Sequence, residues 1–122
     1  MIDQHDMLLK FRDALISKEE LQKNVGHDLV SQKIDTPIEI RIEHLLNVIK
    51  KFQKNEMNKQ QLLDWVNAIW FTELYEYCDE HVDSIASVMN ELEEIDEDEN
   101  KASSDNIERY IKALENNTEV RI

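Results

Sequence analysis

The stretch Asn58–Cys78, NKQQLLDWVNAIWFTELYEYC, decides how this chain is read. Asn58 and Gln61 stand at capping-box spacing, which marks a helix start. Behind them Leu62, Leu63, Trp65, Val66, Ile69, Trp70, Phe71 and Leu74 are apolar over more than one face and predict a helix running to about Cys78. A helix apolar most of the way round either sits at the centre of a bundle or is partly covered by a partner. Trp65 and Trp70 lie five residues apart, about 140° around such a helix. One is expected in the core and the other at the surface.

The segments on either side read as helices too. Upstream, Ile38, Ile42, Leu45, Ile49 and Phe52 recur at spacings of four and three, and Lys50, Lys51 and Lys54 close the run where the helix dipole favours cations. Thr36, Pro37 and Glu39 supply its predicted start, as cap, first-turn proline and closing acid. Before it, Leu8, Leu9, Phe11, Leu15 and Ile16 predict a short helix over 3–16. Ser17 and Glu20 then cap a second helix through Leu21, Val25, Leu29 and Val30 to about Lys33, with Gly26 inside it. Downstream, Val82, Ile85, Ala86, Met89 and Leu92 form a fifth stripe, with Asp79 as its expected cap. Asp96–Ser104 reads as a mobile acidic link without periodicity. Ile107, Tyr110, Ile111 and Leu114 predict a last helix capped by Ser104 or Asp105.

Composition agrees. One Gly and one Pro in 122 residues leave a β-rich fold short of turn residues. The expected architecture is all-α, a single domain of five to six helices over residues 1–122 joined by short polar links. A lone Cys78 fits a reducing, cytoplasmic setting. The opening MIDQHDMLLK has no basic segment followed by an apolar run, so no signal peptide is read. No apolar run approaches the roughly 20 residues needed to span a bilayer. A monomer or weak homo-oligomer is expected, with no cofactor.

Charge is distributed unevenly. Gln60–Asn100 contains thirteen acids and no Lys or Arg, whereas the rest of the chain holds fourteen of each sign, so the net charge of −13 belongs to this one third. Such a surface repels nucleic-acid phosphates and anionic lipid, and it attracts a basic protein. At helical offsets Trp70, Glu73 and Tyr77 share a face, and Glu76, Asp79, Glu80 and Asp83 continue it as an acidic ridge. Aromatic anchors ringed by carboxylates are the anatomy of an interface. These seven residues are the candidate partner-binding site. The bland reading, a solvated acidic face, leaves the like-charge repulsion between successive turns without a compensating base.

Other chemistry finds weaker support. Counted as a calcium loop, Asp96 onward places Lys101 where the turn glycine belongs and Ile107 where the bidentate acid belongs. Cys78 and His81 offer two zinc ligands one turn apart, without a second pair. His5, His27 and His44 show no ligand spacing, and no Ser or Cys sits in a glycine-flanked elbow. Glu73-x-x-Glu76 and Glu93-x-x-Asp96, if both helical and opposed, would hold Mg²⁺ against a triphosphate. That spacing resembles the all-helical nucleotide pyrophosphatases of the MazG type. It is the alternative reading, with a helical scaffold as a third.

The segment Lys51–Ile69, in which a basic-polar link is followed by Leu62, Leu63, Trp65, Asn67 and Ile69, resembles small helical bacterial immunity proteins over roughly residues 40–95. Ile85, Met89 and Leu92 match that family's next helix by periodicity. The resemblance implies a non-enzymatic protein that binds a cognate toxin domain, often a basic nuclease, and blocks it.

Overall fold

Capping chemistry starts several helices close to where the sequence places them. The computed structural model describes residues 4–26 and 37–120. In order these form α1 (Gln4–Arg12), α2 (Lys18–Val25), β1 (Ile38–Ile40), α3 (Ile42–Gln53), α4 (Lys59–Trp70), β2 (Tyr75–Tyr77), α5 (Val82–Leu92), a 3-10 helix (Glu99–Ala102) and α6 (Ser104–Glu115). Ser17 accepts from the Glu20 amide at the head of α2, and Asn58 and Gln61 exchange bonds at the head of α4. Ser103, one residue before the expected cap, accepts from the Asn106 amide and starts α6. The domain is mostly helical, as expected. Buried side chains from all six helices and from β1 and β2 merge into a single core.

Two strands are the correction. β1 and β2 pair in parallel, with Ile38 opposite Tyr75, Glu39 opposite Glu76 and Ile40 opposite Tyr77. Parallel strands need a long crossover, and the α3–α4 hairpin supplies it. The segments read Ile-Glu-Ile and Tyr-Glu-Tyr, alternating with period two, and β-branched and aromatic residues suit a half-buried pleat. Three-residue alternations are easily absorbed into a neighbouring helical pattern. So α3 begins at Ile42 rather than at Pro37, with Arg41 as its N-cap residue. The Arg41 amide donates to His44 Nδ1 (2.9 Å), so the histidine does the capping assigned to Glu39. Arg has no acceptor to complete the reciprocal bond.

Similarly α4 stops at Trp70 instead of Cys78. The Phe71 amide makes the last helical bond, to Asn67. Thr72 then donates its hydroxyl to the Ala68 carbonyl (2.6 Å) and accepts from the Leu74 amide (3.4 Å). Such local side-chain bonds compete with helix continuation. Tyr75 is held at a distance by its phenol, which donates to the Leu8 carbonyl (2.7 Å).

The remaining boundaries differ modestly. α1 ends at Arg12, four residues early, and α2 ends at Val25 with Gly26 at φ 133° as its C-cap. The rest of the expected second helix, with Thr36 and His27, lies outside the described residues. α5 is preceded by His81, not Asp79. The expected mobile link after Ile95 is structured instead. Asp98 caps the 3-10 helix through the Asn100 amide (3.0 Å), and Tyr110 donates to the Lys101 carbonyl (2.7 Å).

Candidate acidic-aromatic interface

Trp65 and Trp70 take the separate fates expected of them. Trp65 is buried, its Nε1 shared between the Phe11 and Arg12 carbonyls (3.1 and 3.2 Å) at the C-terminal end of α1, where the Phe11 carbonyl also accepts from the Ala14 amide (3.0 Å). Trp70, at the end of α4, is only half-buried. Its ring lies against Tyr77 at 5.6 Å between centroids and 31° between planes. Phe71 meets it edge-on (6.5 Å, 86°) and is itself 53% exposed. The sequence brings Trp70 and Tyr77 together by helical offset. In the fold they meet because the chain leaves α4, turns at Thr72 and returns as β2.

Around this group Glu73, Glu76, Asp79, Glu80 and Asp83 are all exposed. Three different conformations present them. Glu73 lies in the bend after α4, Glu76 on the outward side of β2, and Asp79 and Glu80 in the turn before α5. Asp83 sits in the first turn of α5, where the helix dipole favours a carboxylate. A cleft of about 330 Å³ between the strands and this turn is lined by Glu39, Glu76, Tyr77, Cys78, Asp79 and Glu80.

The turn is firmly placed. The Cys78 amide continues the ladder to the Ile40 carbonyl (2.9 Å), and Asn117 donates to the Glu80 carbonyl (3.0 Å). Buried Ser84 bonds both the His81 carbonyl (3.0 Å) and Asn117 Oδ1 (2.9 Å). The Ile42 amide reaches His81 Nδ1 at 3.4 Å. Thus the end of α6 and the start of α3 both hold the acidic turn.

Sequence reasoning missed Glu39 and Arg41. Register places Glu39 directly opposite Glu76, a like-charge cross-strand pair that disfavours the sheet. Arg41 relieves it from the Glu39 side, donating to Glu39 Oε1 at 2.8 Å and approaching Glu43 at 3.6 Å. That bond holds the Glu39 carboxyl below its ordinary range. Arg41 Nη1 also lies 3.5 Å from Cys78 Sγ. Only the period-two alternation of the two segments carried a sequence signal for this pairing.

Bases flanking the acidic third settle elsewhere. Lys59 reaches Asp96 and Glu99 (3.8 and 3.7 Å), while Lys101 bonds Glu91 and approaches Glu94 at 3.1 Å. Both pair with the distal acids Glu91, Glu94, Asp96 and Glu99. Tyr77 adds a second imbalance. Its hydroxyl is buried and has no hydrogen-bond partner among the described residues. Burial, then the charge of Glu93, push this phenol well above its ordinary pKa, so it stays protonated.

The opposed-helix geometry behind the pyrophosphatase reading is absent. Glu73 and Glu76 occupy a bend and a strand, and Glu93 and Asp96 follow the end of α5. Among the described residues no group of three or more His, Cys, Asp or Glu converges as a metal site. No described helix is long and apolar enough to cross a membrane. No family model, curated protein or solved structure matches the chain.

Proposed function

We propose that this chain is a non-catalytic inhibitor that captures a basic protein domain, as an immunity protein captures its toxin. The observation that carries it is the surface of Trp70, Phe71 and Tyr77 bordered by Glu73, Glu76, Asp79, Glu80 and Asp83, while Lys59 and Lys101 pair with other acids. Exposed Phe71 and the half-buried Trp70 supply contact area to desolvate, and concentrated carboxylates steer a cationic partner and fix its register. A nuclease domain is the favoured target class, because its phosphate-binding groove is basic and this surface presents carboxylates in place of phosphates.

Co-expression provides the test. The reading frame adjacent to this chain's own is expected to encode a basic toxin, and the chain is expected to restore growth of cells producing it. The triple variant Glu76→Lys, Glu80→Lys, Asp83→Lys is expected to fold and to lose that protection. Protection retained by the triple variant contradicts the proposal. So does pyrophosphate release when the purified chain is given Mg²⁺ and nucleoside triphosphates.

A further inference from the structure

Phe71 leaves 53% of its surface to solvent, yet its position is well fixed. Its amide closes the last turn of α4 on the Asn67 carbonyl (3.0 Å), and Thr72 beside it bonds the Ala68 carbonyl. The ring stands at 86° to that of Trp70, so the two planes form a right-angled corner. Tyr77, arriving on β2, lies against Trp70 in a tilted stack and holds the indole from a second element. Negative potential gathers at this corner from three sources. Aromatic faces carry it in their quadrupoles. Trp70 and Phe71 are the last residue and the C-cap of α4, at the negative end of its dipole. The last turns of α1, α2, α3 and α6 each contain Lys or Arg, whereas the last turn of α4 contains neither. The third source is Glu93, half-buried just after α5, whose charge reaches the Tyr77 phenol.

We infer that the corner of Trp70 and Phe71 seats an arginine side chain of the partner, its guanidinium flat against Phe71. The inference rests on the proposed capture of a basic protein and names the group that anchors it. A guanidinium is planar and weakly hydrated, so it stacks on an aromatic face while its rim still donates hydrogen bonds. An ammonium is compact and strongly hydrated, and gains less from a ring. An apolar side chain would cover Phe71 but leave the negative end of α4 unmatched. A second copy of this chain would bring together two molecules of charge −13, which disfavours it. Side chains alternate across a strand, so Glu76 and Tyr77 point to opposite faces of β2. The aromatic seat is thus separable from Glu76, and the two can be tested apart.

Two blocked four-residue peptides of equal charge, one all Arg and one all Lys, are the probes, titrated at low salt. The indole N–H resonances report the place of binding, with buried Trp65 as the internal reference for Trp70. The Arg peptide is expected to bind about fivefold tighter than the Lys peptide, and to shift the Trp70 indole while that of Trp65 stays in place. Phe71→Leu keeps apolar bulk at an exposed position and removes the ring, so it should fold and bring the two peptides within about twofold of each other. Binding of both peptides with the Trp70 indole unmoved, or equally by wild type, overturns the aromatic seat and leaves acidic capture standing. So does a preference for Arg that survives Phe71→Leu. Binding of neither peptide overturns the seat and the capture together.

Discussion

Ala14, Asn55 and Asn117 adopt positive φ of 61°, 63° and 51°. Each ends a helix in the same way, the next amide reaching back five residues: Leu15 to Lys10, Glu56 to Lys51, Thr118 to Ala113. Glycine normally occupies this left-handed position and asparagine tolerates it. The chain has a single glycine, at Gly26, so alanine does the job at the end of α1. An alanine there carries a steric cost of about 1–2 kcal/mol, partly offset by its smaller entropy loss on folding. Ala14→Gly should therefore raise unfolding free energy by roughly 0.5–1 kcal/mol, read by urea titration. A loss of stability would show that Ala14 is not strained. The same scale shows what sequence can and cannot separate. The 140° offset divides Trp65 from Trp70, but only the Phe11 and Arg12 carbonyls decide which one is buried.

Among the elements, the start of α3 holds a histidine that the fold keeps from protonating as readily as a free imidazole. His44 Nδ1 accepts the Arg41 amide, a bond only the neutral ring makes. Burial first, then the charge of Arg12, lower its pKa below the ordinary value. The unfolded chain thus binds this proton more readily than the folded one. Stability from this group is full above about pH 6.5 and is lost as pH falls from there through the lowered value. A proton would also place charge at the positive end of the α3 dipole. Between pH 7 and pH 5 the chain should lose more stability than His44→Gln does, as judged by denaturant midpoints. Equal losses would remove His44 as the cause. Helix existence was legible here and helix ends were not. The 4-3-4-3 apolar spacing found α3, yet three residues of strand at each of β1 and β2 lay inside predicted helices. Strand pairing is non-local, and nothing within either Ile-Glu-Ile or Tyr-Glu-Tyr names its partner 37 positions away.

Across the whole molecule, charge is sorted more finely than along the chain. The sequence confines the excess acid to Gln60–Asn100; folding then brings Lys59 and Lys101 onto its second half and Arg41 onto Glu39. Beside the Trp70–Tyr77 pair, Glu76, Asp79, Glu80 and Asp83 stand exposed. Composition and spacing singled the site residues out on one helix face and the ridge continuing it, and the structure carries them instead on a bend, a strand, a turn and the first turn of α5. Long-range attraction of this kind accelerates encounter and weakens as salt screens it over about 10 Å at 0.1 M. The deciding measurement is the association rate with the basic toxin domain that the proposal expects the adjacent reading frame to encode, taken from low to physiological salt. The wild-type rate should fall steeply with salt, and Glu76→Lys, Glu80→Lys, Asp83→Lys together should slow it at least tenfold at low salt and flatten the dependence. The same change at the distal acids Glu97 and Asp98 should do far less. Equal rates and slopes for wild type and the Glu76, Glu80, Asp83 variant would contradict the assignment of this face as the binding surface.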